Sequence, residues 1–123
     1  MEIWVNPSCS KCQAATQLLD EAGATYTVRR YLDDPPTADE LDGILRRLGL
    51  DPWDVARINE PLAEELGLSE LPHERGRWIE LMIAHPVLIQ RPIITADDGT
   101  TVLGRSEDAV RGVLARTRRS EGA

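Results

Sequence analysis

Glu2-Ile3-Trp4-Val5-Asn6-Pro7-Ser8-Cys9-Ser10-Lys11-Cys12 opens the chain and decides how the rest is read. Glu2 to Val5 alternates polar and apolar positions and stops at Asn-Pro, as a short strand does. Helical spacing follows over residues 10–22, with Ala14, Ala15, Leu18, Leu19 and Ala22 in the pattern and Gly23 as the stop. Both cysteines of the chain, Cys9 and Cys12, therefore lie where a strand passes into a helix. Such a pair is a redox dithiol, half of a metal site, a disulfide staple, or one reactive thiol with a bystander.

Composition narrows these choices. The chain has 123 residues, 41% hydrophobic and 28% charged, which fits one globular domain with one core. No apolar run approaches the ~20 residues that span a bilayer, and no secretory signal pattern opens the chain. The expected location is the cytoplasm. A net charge of −7 disfavours nucleic acid and anionic membrane as partners. A reducing cytoplasm disfavours a structural disulfide. Two cysteines cannot complete a four-ligand zinc site, and His73 and His85 lie far along the chain beside helix-end signals, so no metal is expected. Thiol chemistry remains.

Tyr26 to Tyr31 reads as a second strand, ended by Asp33-Asp34-Pro35-Pro36. Thr37 and Glu40 form a capping box ahead of the stripe Leu41, Ile44, Leu45, Leu48, which stops at Gly49. Asp51-Pro52 starts a short helix, Pro61 to Leu66 another, and residues 74–84 a third with Trp78, Leu81 and Met82 on one face. After the apolar run Val87 to Thr95, Asp97-Asp98-Gly99-Thr100 turns a hairpin into Thr101–Leu103. Ser106 caps a last helix to about residue 117, leaving 118–123 as a flexible tail. The order strand, helix, strand, helices, hairpin, helix is that of a thioredoxin-like α/β fold over residues 1–117. Residues 37–84 hold its middle helix and a helical insertion too short to be a separate domain.

The first amides of a helix lack internal partners and carry partial positive charge. A thiolate at Cys9 is stabilised there, its pKa falls, and the same amides can cradle an oxyanion. Lys11 adds a cation. Cys12, one turn on, can attack a sulfur-linked adduct at Cys9 to form an intramolecular disulfide, or it is simply a small apolar residue on the buried face.

"NPSC" after the first strand, "YLDDPPTADEL" and "AHPVLIQRPII" together resemble the arsenate reductase family of the glutaredoxin-coupled, thioredoxin-fold type, from about residue 3 to residue 115. The resemblance implies that Cys9 attacks arsenate or a similar oxyanion held by three arginines. These fall on Arg57 in "ARINEP", Arg91 in "RPI" and Arg105 in "LGRSED". Analogy with thioredoxin folds also implies a cis Arg91-Pro92 bond. Thirteen of the fourteen basic residues are arginine, whose planar fork suits oxyanions and keeps its charge when partly buried, although a high-GC genome would also inflate arginine and accounts for most of the thirteen. No bound cofactor is implied, only an external thiol reductant: glutathione with glutaredoxin, a mycothiol system, or thioredoxin. The second thiol, Cys12, departs from the family pattern of one essential cysteine in this loop and leaves the electron donor open.

The same broad family holds Spx-type regulators, in which a CxxC is a redox switch and the partner is RNA polymerase, and general thiol-disulfide reductases. These are the alternatives to an arsenate reductase. Among other candidates, Asn6 orients the cysteine loop. Ser8 and Ser10 either hydrogen-bond the thiolate or serve as loop and cap residues. His85 fits a helix C-cap as well as a catalytic role. Trp4, Trp53 and Trp78 read as packing.

Overall fold

The computed structural model describes residues 1–122, with side chains through Arg116. The chain divides into two compact units, Met1–Asp34 together with the chain from Arg91 onward, and Pro35–Gln90.

The first unit holds four strands, β1 (Glu2–Val5), β2 (Thr27–Arg30), β3 (Ile93–Thr95) and β4 (Thr101–Leu103), with helices α1 (Ser10–Glu21) and α6 (Glu107–Gly122). Of the expected tail over 118–123, Ala123 lies outside the described residues, and the stretch before it is described only as helical backbone. The sheet order is β2-β1-β3-β4. β1 and β2 run parallel, so a crossover must join them, and α1 is that crossover. β3 runs antiparallel to both β1 and β4, and the β3–β4 connection is the Asp-Gly hairpin. Gly99 supplies its φ of 90°, and the Ala96 amide donates to the Thr100 carbonyl at 2.8 Å. This is the thioredoxin-like α/β arrangement anticipated from the order of elements.

Alternation places Ile3 and Val5 on one face of the sheet and Trp4 on the other. Ile3 and Val5 join Cys12, Ala15 and Leu19 of α1, Ile94 and Ala96, and Val110, Val113 and Leu114 of α6 in one buried cluster. The spacing of Cys12, Ala15 and Leu19 gives α1 its core stripe. Trp4 pairs in register with Arg29 on β2 and Ile93 on β3. On that face the Arg29 guanidinium lies 5.2 Å from the Trp4 ring centroid, and the Tyr31 ring lies 6.5 Å away. Trp4, Tyr31 and Ile93 are all buried.

Strand direction decides which loops meet. The C-terminal ends of β1, β2 and β4 and the N-terminal end of β3 lie at the same edge of the sheet. Asn6 to Cys9, Tyr31, Arg91-Pro92 and Gly104-Arg105 all leave the strands there.

The second unit is helical: α2 (Ala38–Leu48), α3 (Pro52–Val55), α4 (Pro61–Glu65) and α5 (Arg75–Ala84), with 3-10 turns at Leu68–Glu70 and Pro86–Leu88. The Thr37 hydroxyl accepts from the Glu40 amide at 3.1 Å, and the Glu40 carboxylate accepts from the Thr37 amide at 3.0 Å. Gly49 then closes α2 at φ 69°. Leu41, Ile44 and Leu45 form its buried stripe. On α5 the buried residues are Trp78, Ile79 and Met82, so Ile79 takes the place expected of Leu81, which is only half-buried. The apolar run 87–95 does not form one strand. Its start coils into a 3-10 turn after Pro86, Ile89 makes a lone bridge to Ala56, and pairing on the sheet begins only past Pro92, which has no N–H to give. Among the described residues no helix is long and apolar enough to cross a membrane.

Two substitutions probe the packing and the caps. Thr37→Ala removes one side of the α2 capping box, and urea unfolding should show a loss of about 1 kcal/mol. Gly104 is buried, and its amide donates to the Pro92 carbonyl at 2.9 Å. A Cβ there would stand 2.7 Å from Ile94 Cδ1 and 3.3 Å from Pro92 Cγ. Gly104→Ala should therefore lower stability by about 1–3 kcal/mol in the same experiment, through overpacking rather than backbone strain.

Candidate functional site: a thiol pair at the sheet edge

Asn6 and Pro7 end β1 and begin a tight loop. The Asn6 side-chain oxygen accepts from the Ser8 amide at 3.0 Å, and its carbonyl accepts from the Cys9 amide at 3.0 Å. Gln13 ties the first turn of α1 back to this loop, its side-chain amide donating to the Pro7 carbonyl at 3.0 Å. Cys9 is thereby held as the N-cap residue of α1. The Asn6 side chain thus bonds within the cysteine loop, through its oxygen. Ser8 is exposed in the loop, and Ser10 is exposed as the first residue of α1.

Cys9 is half-buried and Cys12 is buried; neither is in a disulfide. Burial pushes the Cys9 thiol up, but the Cys12 amide, the Arg91 guanidinium, the Lys11 amide and the Cys12 thiol all hydrogen-bond its sulfur and outweigh it. Its pKa falls from 9.0 to about 7. Burial dominates at Cys12 and lifts it to about 11, against the Asn6 amide, which donates to its sulfur; the charge on Cys9 adds to the rise. One turn of chain thus holds, at Cys9, a sulfur that ionises near neutral pH and, at Cys12, a neutral thiol that donates to it.

Arg91 is 8% exposed. Burial acts to lower its pKa, but contact with the Cys9 sulfur and the Tyr31 phenol oxygen reverses this, and the net shift is upward. The Arg91-Pro92 bond is cis, as the analogy implied. The Arg105 guanidinium donates to the Arg91 carbonyl at 2.6 Å. Arg105 therefore meets the main chain of Arg91 while the Arg91 side chain meets Cys9.

Lys11 reaches the sulfur through its main-chain amide. Its side chain is exposed, and the residue lines a cleft of about 340 Å³ with Arg105 and Glu107. Arg57 belongs to the Pro35–Gln90 unit. There its Nε donates to Glu60 at 2.9 Å and its Nη1 to the Gln90 side chain at 2.7 Å, while its own amide donates to the Leu88 carbonyl at 2.7 Å. His85 closes α5, its amide donating to the Leu81 carbonyl at 2.9 Å. Trp78 is core, and Trp53 stacks on His73 with ring centroids 4.2 Å apart. Among the described residues no cluster of three or more His, Cys, Asp or Glu comes together as a metal site.

Sequence reasoning reads Tyr31 only as the end of a strand. The available signal is parity: Tyr31 lies two residues beyond Arg29, on the face that carries Trp4, and β2 runs parallel to the strand that delivers Cys9.

Comparison with known proteins agrees with this geometry. The model of the ArsC family matches residues 4–113. A Streptomyces viridochromogenes chain described as an uncharacterized protein in the glnII region is 58% identical, covering 94% of this chain and all of its own length. A Neisseria meningitidis arsenate reductase (serogroup A) is 36% identical, over 93% of this chain and 97% of its own. The solved structure of an arsenate reductase from Vibrio cholerae superposes with a TM-score of 0.80 at 31% identity, covering 94% of this chain and 97% of that one. A thiolate at a strand-to-helix junction, a buried arginine on its sulfur and a family match over nearly the whole chain agree: this chain is a member of the ArsC family.

Proposed function

We propose that this ArsC-family chain is a thiol oxidoreductase that reduces arsenate to arsenite, with Cys9 as the nucleophile. The observation that carries the reading is the Cys9 sulfur itself. It is half-exposed at the N-terminus of α1 and takes hydrogen bonds from two main-chain amides and from the buried Arg91 guanidinium. Arsenate is a tetrahedral anion, so attack by a thiolate brings like charges together. Fixed donors already aimed at that point offset the repulsion without reorganising.

The chemistry balances with thiols alone. The Cys9 thiolate forms a sulfur–arsenic bond, and one arsenate oxygen leaves as water after protonation. A second thiol then attacks the Cys9 sulfur, the sulfur–arsenic bond breaks, and its electron pair stays on arsenic. Two thiols become a disulfide, arsenic(V) becomes arsenic(III), and arsenite departs. Cys12 is the internal candidate for the second thiol. It is neutral at rest, and its thiol proton becomes easier to lose once the charge on Cys9 has been spent on arsenic, because that charge is one of the causes of its high pKa. The resulting disulfide needs an external reductant, and glutaredoxin with glutathione, a mycothiol system and thioredoxin are the donors to compare.

Arg91 is the oxyanion-binding arginine in this reading. Arg105 supports it through the Arg91 carbonyl and retains further N–H donors for an oxyanion. Arg57 enters on the family resemblance.

The titration follows from the direction of the shift. The thiolate fraction, and with it the iodoacetamide alkylation rate of Cys9, should rise through a midpoint near pH 7 and level off above it, instead of rising through 9. Purified protein with arsenate and each thiol system in turn should form arsenite. Cys9→Ser should abolish this, and Arg91→Ala should lower kcat/KM by about 10²–10³-fold, the cost of removing one charge-stabilising donor. Arg57→Ala should raise KM for arsenate. No arsenite with any donor would overturn the reading. Mass spectrometry after turnover should show a Cys9–Cys12 disulfide; a Cys9 adduct with the small thiol, persisting without that disulfide, would assign the second step to the external donor.

A further inference from the structure

We propose that Tyr31 is a positioning residue for Cys9, acting through Arg91: its buried phenol oxygen accepts a hydrogen bond from the Arg91 guanidinium and turns that guanidinium toward the sulfur. The inference deepens the proposed function, since it rests on Cys9 being the attacking group.

Three observations support it. Sheet register is the first. Trp4 on β1 is flanked by Arg29 on β2 and Ile93 on β3. Tyr31 directly follows the end of β2 and Arg91 lies two residues ahead of β3, so the two leave the strands on either side of β1 at the edge from which the cysteine loop departs. The sheet thus places phenol and guanidinium together at the edge where Cys9 stands.

Burial is the second. Tyr31 is fully buried and Arg91 is 8% exposed. Water cannot compete freely for the guanidinium, and each donor it turns inward needs a protein acceptor. The Cys9 sulfur and the Tyr31 oxygen both hydrogen-bond the Arg91 guanidinium. The two differ in kind, since the sulfur is the reacting atom and the phenol is a fixed, unreactive oxygen.

Rigidity is the third. The Tyr31 ring lies against the buried Trp4, whose indole N–H donates to Glu2 at 2.7 Å and whose face carries Arg29. A phenol held in this way has little rotamer freedom. The main chain of Arg91 is held separately by Arg105 at 2.6 Å. With one end of Arg91 fixed by Arg105 and the other by Tyr31, the guanidinium is pre-organised and need not be ordered by the substrate. The charged and titratable groups around the sulfur are Arg91 from the β3 side, Cys12 on α1, and the exposed Lys11.

The test measures the iodoacetamide alkylation rate of Cys9 against pH in the full chain. Tyr31→Phe keeps the ring and removes the acceptor; the Cys9 midpoint should rise by about half a unit or more toward the ordinary thiol value. In an Arg91→Ala background the same substitution should add nothing, because its effect passes through the guanidinium. An unmoved midpoint in folded Tyr31→Phe, or an equal displacement in the Arg91→Ala background, overturns the proposal. A second measurement does not depend on Tyr31→Phe folding. In Tyr26→Phe protein grown with 3-fluorotyrosine, the remaining fluorine resonance is that of Tyr31. It should move with the Cys9 midpoint and lose that step in Cys9→Ser and in Arg91→Ala; a resonance indifferent to Cys9 overturns the proposal. Neither readout uses arsenate, so the coupling can stand where the arsenate reading falls, and the reverse.

Discussion

A guanidinium shut away from water is costly unless an anion meets it, and a thiolate needs donors to exist near neutral pH. Arg91 and Cys9 meet both needs at once. The burial that would push each toward its neutral form is reversed at Cys9 by hydrogen bonds from the Cys12 amide, the Arg91 guanidinium, the Lys11 amide and the Cys12 thiol, and at Arg91 by the Cys9 sulfur and the Tyr31 oxygen. In a protein with a net charge of −7 this is a local cationic spot created by placement rather than by composition. The rest of the first unit keeps that placement. β1 and α1 share the cluster of Ile3, Val5, Cys12, Ala15 and Leu19, so the loop between them has little room to drift. Gly104 packs so closely on Ile94 and Pro92 that the end of β4 is registered against the Arg91-Pro92 segment.

Topology explains why residues so distant in sequence meet. A parallel β1–β2 pair sends the cysteine loop and Tyr31 to one edge of the sheet, and the antiparallel β3–β4 hairpin returns Arg91 and Arg105 to the same edge. The two arginines differ in what they do there. Arg91 presents its side chain to the sulfur, whereas Arg105 spends at least one donor on a main-chain carbonyl. In the Pro35–Gln90 unit, the guanidinium of Arg57 is shared between a carboxylate and an amide oxygen. A further cation there, Arg75, bonds Asp42 at 2.7 Å, and Arg46 bonds the same carboxylate at 2.8 Å. Asp42 is accordingly held below the usual carboxylate range, by Arg46 first and Arg75 second. Arg46 is exposed and its pairing is worth little, whereas the half-buried Arg75–Asp42 pair links α2 to α5.

Much of this is legible in the sequence because it is written in local signals. The Asn-Pro stop after Val5, Gly23 and Gly49 at helix ends, the Thr37–Glu40 capping box and the Asp-Gly turn each depend on a few adjacent residues, and each appears where expected. Cys9 is legible for the same reason, since a helix N-terminus acts on whatever side chain stands there. Non-local choices are harder. Whether Leu81 or Ile79 is buried on α5 depends on what packs against the helix. The run 87–95 looks like one strand until Pro86 and Pro92 are asked for donors they lack. Tyr31 escapes notice because its partner lies sixty residues on, and only strand register brings the two together. Lys11 is expected to act through its ammonium; the structure shows its main-chain amide on the sulfur, a contribution independent of residue type.

The contrast between the two sulfurs has a practical side. One thiol is half-open to solution and ionises near 7, while the other is 2% exposed and ionises near 11. At neutral pH their thiolate populations differ on the order of 10³–10⁴-fold, before steric access widens the gap. The unaltered chain therefore offers a single-site handle, on which a maleimide dye or spin label would settle at position 9 without any cysteine having to be engineered out.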